Sequence, residues 1–334
     1  MNFGFKKLVV VGAAALMAAL SACGGGPAGG GDKVKLSLVA YSTPQAAYEA
    51  IITAFQQTPE GRNVEFSKSF GGSGDQSRAV EAGLKADIVA FSLEPDMTRL
   101  VKAGLVEDSW ASGATKGMVT QSVVVIGTRE GNPKGLQDWD DLTQPGVEVI
   151  TPNPFTSGGA RWNVLAGYGA TSQVGKDKAA GVAYLKSLFK NVPVQDDSAR
   201  KSLQTFSGGK GDAILAYENE AIFAQQQGQK LDYTVPSATI LIENPVAVVK
   251  NSEHPAEAQA FLNFLHSEQG QQIFVKNGYR PVAGNIDGAD FPTPAELFTI
   301  KDLGGWTAVN KEFFDPSTGV MAEVERGIGV SVES

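Results

Sequence analysis

Cysteine and histidine are nearly absent from this 334-residue chain, which has one of the first and two of the second. A lone cysteine, Cys23, permits no disulfide framework, and a zinc site would lack its usual clustered cysteines and histidines. His254 precedes Pro255 at an expected helix start and His266 closes that helix, so both read as capping or surface residues. Blocks of lysine or arginine are missing too, and the formal net charge is −8. That balance excludes a nucleic-acid surface and electrostatic attachment to anionic lipid. Catalytic signatures fail in the same way. Ser73 has Asp75 where a nucleophile elbow requires glycine, and the Gly/Ser-rich turns described below lack the Lys-Ser/Thr pair of a nucleotide-binding loop. The acidic pairs Asp140-Asp141, Asp196-Asp197 and Glu218/Glu220 read as solvated faces. No enzymatic activity, metal or cofactor is expected.

What is present begins with an address. Lys6-Lys7 and the short apolar stretch 8–20 form a leader too short to span a bilayer comfortably. Leu20-Ser21-Ala22-Cys23 then resembles a bacterial lipobox with Cys23 as the lipidated residue, and 24–31 is a flexible Gly/Pro/Ala tether. Removing residues 1–22 leaves 26 basic against 36 acidic side chains, a net charge of −10. The expected location is the outer side of a membrane, held by a lipid.

The remaining length suits two lobes better than one core. Apolar runs alternate with helical spacing from residue 33 onward, the rhythm of parallel sheets flanked by helices. Boundaries are expected at 32–119 for lobe I, 120–244 for lobe II, and 245–334 for a return to lobe I with a C-terminal segment. The Ser237–Val249 run, interrupted at Asn244-Pro245, reads as paired strands making that return. Two strand-to-helix turns are rich in glycine and serine: Gly71-Gly72-Ser73-Gly74 and Ser157-Gly158-Gly159. Ser157 is a natural N-cap, and bare glycine backbone allows close approach to unpaired N–H groups, an arrangement suited to an anion. Five strand ends (Tyr41-Ser42, Gly72-Ser73, Ser157 to Gly159, Ser198-Ala199 and Tyr217) are divided between the two halves, which suggests a hinged cleft.

Longer motifs carry a resemblance. Val149-Ile-Thr-Pro-Asn-Pro154, Ser157-Gly-Gly-Ala-Arg-Trp-Asn163, Trp139-Asp-Asp-Leu142, Tyr279-Arg-Pro281 and Gly304-Gly-Trp306 follow one another as in the periplasmic sulfate-binding proteins of sulfate/thiosulfate ABC importers. The chain resembles that family across its mature length. The resemblance implies a two-lobed type II periplasmic-binding-protein-like α/β fold, each lobe a mixed, mainly parallel sheet flanked by helices, with dehydrated sulfate in the cleft. It implies backbone donors at Ser42, Ser73, Gly158, Gly159 and Ala199, a hydroxyl donor at Ser157, and a monomer that delivers its anion to an ABC permease. Two positions depart from the family's pattern: Ser42-Thr43 replaces Asp-Pro, and Tyr217 replaces Trp. An indole N–H and a phenol O–H both donate, with different reach. Arg161 and Arg200 either steady carbonyls behind the site or lie exposed. Sulfate and thiosulfate are not ranked, and molybdate, tungstate or phosphate are the other oxyanions in play.

Overall fold

A computed structural model describes residues 33–330 and Val332, except Ala283, so Cys23, the leader and the tether lie outside the described residues. The chain opens with β1 (Val34–Tyr41), α1 (Gln45–Phe55), β2 (Val64–Gly71), α2 (Ser73–Glu81), β3 (Ile88–Ala90) and α3 (Glu94–Lys102). β1 lies between β2 and β3 and runs parallel to both. Successive strand residues face opposite ways. Leu36, Leu38 and Ala40 therefore pack with Tyr48, Ile51 and Phe55 of α1, while Val39 packs with Val80, Met97 and Leu100 of α2 and α3.

β4 (Met118–Arg129) leads out of this lobe. The second lobe follows as β5 (Val149–Ile150), α4 (Gly158–Thr171), α5 (Lys178–Lys190), α6 (Ala199–Ser207), β6 (Ala213–Tyr217), α7 (Glu218–Gln226) and β7 (Leu231–Thr234). β8 (Ala238–Val248) returns, and α8 (Pro255–Leu265) and α9 (Glu268–Lys276) complete the first lobe. Among the described residues the sheet order is β2-β1-β3-β8-β4-β6-β5, with β7 paired to β4. The two long strands belong to both lobes. Residues 118–123 of β4 pair antiparallel with 241–245 of β8; beyond them β4 pairs with β6, and β8 with β3. These two strands carry the chain between the lobes.

Three features differ from the sequence-based expectations. The 238–248 stretch is one strand, not a pair. Pro245, which has no N–H to donate, is accommodated where the pairing shifts register between Met118 and Thr120. Second, the last part of the chain packs on lobe II. β9 (Glu296–Phe298) pairs with the start of β8, and α10 (Gly305–Phe313) and α11 (Val320–Gly327) share a core with α4 and α5. Trp306 sets its ring edge against Trp162, centroids 4.8 Å apart. Truncating a buried aromatic of this kind costs about 3–5 kcal/mol. Third, the expected strand ends Gly72-Ser73 and Ser198-Ala199 already begin helices, α2 starting at Ser73 and α6 at Ala199. Both residues thereby occupy the first helical position, where the amide has no acceptor within the helix.

Candidate functional site

The helix starts converge. Residues 41–43, 71–73 and 157–159 with Ser92, Ala199 and Tyr217 line one small cavity of about 10 Å³. Ser42, Ser73, Ser157, Gly158, Gly159, Ala199 and Tyr217, all expected from the sequence, thus lie together. Tyr41, Gly71 and Gly72, which belong to the expected strand ends and turn, line it as well, and Thr43 and Ser92 are additional. Ser92 closes the apolar run 86–92 and is a strand end of the same kind as the others, which is the signal for it.

The walls offer donors. α1, α2, α6 and α7 begin without a side-chain cap. In α4 the cap is long, with Ser157 Oγ accepting from the Ala160 N–H at 3.4 Å and its own proton left over. α2, α4 and α6 begin at residues that line the cavity, so the positive ends of three helices lie beside one space. The Ser73 hydroxyl is already engaged: it donates to Asp96 Oδ2 (2.6 Å) and accepts from the Ser92 N–H (2.9 Å). Only its amide remains for the cavity. Glycine is required at 158 because a Cβ there would lie 2.6 Å from Ser92 Oγ.

Carboxylates are turned away. Asp75 pairs with Arg78 at 2.6 Å, Asp197 pairs with Lys201, and both carboxylates are exposed. Glu218 and Glu220 correct the expectation of solvated acids, since both are buried on the first turn of α7. Each has an arginine brought to it by packing. Arg280 grips Glu218 through two bonds (2.7 and 3.1 Å), and Arg200 donates to Glu220 at 2.7 Å.

Arg161 and Arg200 both steady carbonyls. Arg161 donates to Pro154 O (2.8 Å) and Asn310 Oδ1 (3.1 Å) and stacks over Phe314. Arg200 reaches across to the first lobe and donates to Thr43 O at 2.7 Å. Two further bonds span the lobes: Trp162 Nε1 donates to Ser92 O (2.9 Å), and the Ser92 and Tyr217 hydroxyls lie 2.6 Å apart. The lobes are therefore closed over the cavity.

A small cavity where helix starts of two lobes meet, with two strands shared between the lobes, has known counterparts. The profile of a family described as bacterial extracellular solute-binding protein matches residues 36–280. The chain belongs to that family. Its relatives include a sulfate-binding protein of Synechococcus elongatus, 43% identical over 318 residues that cover 90% of this chain and 91% of that one. A thiosulfate-binding protein of Pseudomonas aeruginosa is 34% identical over 291 residues, covering 83% and 88%. Among solved structures, the sulfate-binding protein SubI from Mycobacterium tuberculosis H37Rv superposes with a TM-score of 0.82 at 45% identity, covering 84% of this chain and 100% of SubI. The fold is thus the two-lobed α/β architecture of type II periplasmic binding proteins.

Glu220 is joined to the interlobe contact through Arg200, which donates both to it and to Thr43 O. Burial raises its pKa to about 7, with the Arg200 guanidinium opposing. The folded state therefore binds the proton more tightly than the unfolded chain, whose Glu titrates near 4.5. This contribution to stability is complete below about pH 4.5 and is lost as pH rises toward about 7. Glu220→Gln keeps an oxygen toward Arg200 and should flatten the fall in melting temperature between pH 5 and 7.5. An unaltered slope by differential scanning calorimetry would remove Glu220 as its source.

Proposed function

We propose that this chain is an extracytoplasmic receptor for sulfate that delivers the anion to an ABC importer, without chemistry on it. The observation that carries this reading is the donor set. Among the described residues lining the cavity, the only polar side-chain groups are hydroxyls, with no carboxylate, no imidazole and no cationic group. The first shell proposed is the Ser42, Ser73, Gly158, Gly159 and Ala199 amides, the Ser157 hydroxyl, and a hydroxyl of the Ser92–Tyr217 pair. Hydrogen bonds to a charged acceptor contribute roughly 1.5–3 kcal/mol each, so several can offset dehydration and leave a dissociation constant on the order of micromolar. Net charge cannot supply the attraction, because the protein is acidic. The sulfate-binding relatives, at higher identity than the thiosulfate-binding ones, support sulfate as the cargo.

Attachment by a lipid on Cys23 belongs to the same proposal, supported by the lipobox-like Leu20-Ser21-Ala22-Cys23. Export follows from the family, and a monomer suits a receptor that must present both lobes to a permease. Cys23→Ala should move the protein from the membrane pellet to the soluble fraction. A variant that still pellets, beside a wild type carrying no lipid by mass spectrometry, would end the lipoprotein assignment.

Selectivity tests the donor set itself. Sulfate presents acceptors only, whereas hydrogen phosphate carries a proton that needs an acceptor. In a dry shell of donors that proton is unpaired, at a cost of about 1–3 kcal/mol, and the clash with a facing donor adds to it. Calorimetry against an anion panel should show phosphate at least ten-fold weaker than sulfate. Phosphate binding as tightly as sulfate would mean an acceptor turned into the shell and would contradict the assignment.

A further inference from the structure

We propose that Ser92, not Tyr217, gives the hydroxyl proton that this wall of the cavity offers to the anion, and that Tyr217 acts behind it as a positioning residue. The inference rests on the receptor reading above and sharpens it at one contact. Ser92 and Tyr217 come from opposite lobes, both line the cavity, and each is 1% exposed. Their oxygens are 2.6 Å apart. Two hydroxyls sharing one hydrogen bond hold two protons: one lies between the oxygens and the other is free. The direction of the bond decides which residue reaches the anion.

The chemistry favours donation from Tyr217. A phenol is the stronger acid of the two hydroxyls and the better donor, while an aliphatic hydroxyl accepts readily. Burial keeps the phenol neutral, since it pushes the Tyr217 pKa well up, so its proton stays available. Once Ser92 accepts that proton, its own O–H is left to point elsewhere, and the bond it accepts polarises it into a stronger donor.

Geometry favours the same direction. Ser92 Oγ is 2.6 Å from where a Gly158 Cβ would stand, which puts the hydroxyl beside the first amide of α4. The Tyr217 ring instead borders Gly159, with Cε1 3.6 Å from the equivalent point. Ser92 is also fixed at both backbone polar atoms. Its N–H donates to Ser73 Oγ, and its carbonyl accepts from Trp162 Nε1 (2.9 Å) and Asn244 Nδ2 (3.2 Å). The hydroxyl torsion is the freedom left to it. Those partners come from the α2 start, α4 and the shared strand β8, so closure of the lobes sets where the serine proton can go.

A double-mutant cycle read by titration calorimetry tests this, using whichever panel anion the wild-type protein binds most tightly. A wild type that prefers another anion would overturn the sulfate assignment while leaving the cycle interpretable. Ser92→Ala is expected to weaken binding roughly ten-fold or more, as loss of a donor to a charged acceptor does. Tyr217→Phe should cost only about three-fold, the loss of polarisation and alignment. The double variant should bind no more weakly than Ser92→Ala alone, because Tyr217 acts only through Ser92. Ser92→Cys, of similar size but a poor donor, should resemble Ser92→Ala and carries the test if the alanine variant does not fold. Unchanged affinity in the Ser92 variants would overturn the proposal. So would a Tyr217→Phe loss equal to or larger than that of Ser92→Ala and additive with it, which would place the phenol on the anion.

Discussion

For the sulfate proposed as cargo, a cavity with no cationic side chain in its wall must replace the anion's hydration shell with fixed dipoles. That constraint organises the molecule. Each helix start supplies a few unpaired N–H groups within its first turn, too few to surround a tetrahedral anion. Several starts must therefore meet, and one sheet cannot aim its helices at a point from both sides. Two lobes joined by shared strands solve the problem, since β4 and β8 run through both sheets and bring the α2 start to face those of α4 and α6.

Close approach has its own requirements. Gly158 is glycine because the Ser92 side chain of the other lobe occupies the space of a Cβ. Such contact also keeps the cavity small and free of long, charged side chains. The arginines nearby serve the backbone: Arg161 and Arg200 hold carbonyls of residues 154 and 43, near the turns that bear the donors. Their charge is balanced or stacked at the periphery, so no charged side chain lines the cavity.

Much of this is legible in the residues. The strand–Gly/Ser–helix device at 71–74 and 157–159 marks two of the turns, and the strand-end rule brings in Ser42, Ala199 and Tyr217. The structure gathers all seven expected residues around one cavity. Other features depend on tertiary partners that local pattern does not reveal. Glu220 looks like an exposed acid on a polar helix start until α6 packs beside α7 and delivers Arg200 to it. The placement of α10 on lobe II depends on Trp306 finding Trp162, far away in sequence. Pro245 reads as a strand break because its missing N–H is visible, whereas the register shift in β4 that accommodates it is not.

The most direct measurement is of the amides themselves. Proton–nitrogen correlation spectra recorded during titration with sulfate should show the Ser42, Ser73, Gly158, Gly159 and Ala199 amide protons shifting downfield together and saturating at one equivalent, as N–H groups do when they bond to an anion. Shifts confined to lysine- and arginine-bearing surface, with these five amides unmoved, would contradict the account that uncharged donors hold the ligand.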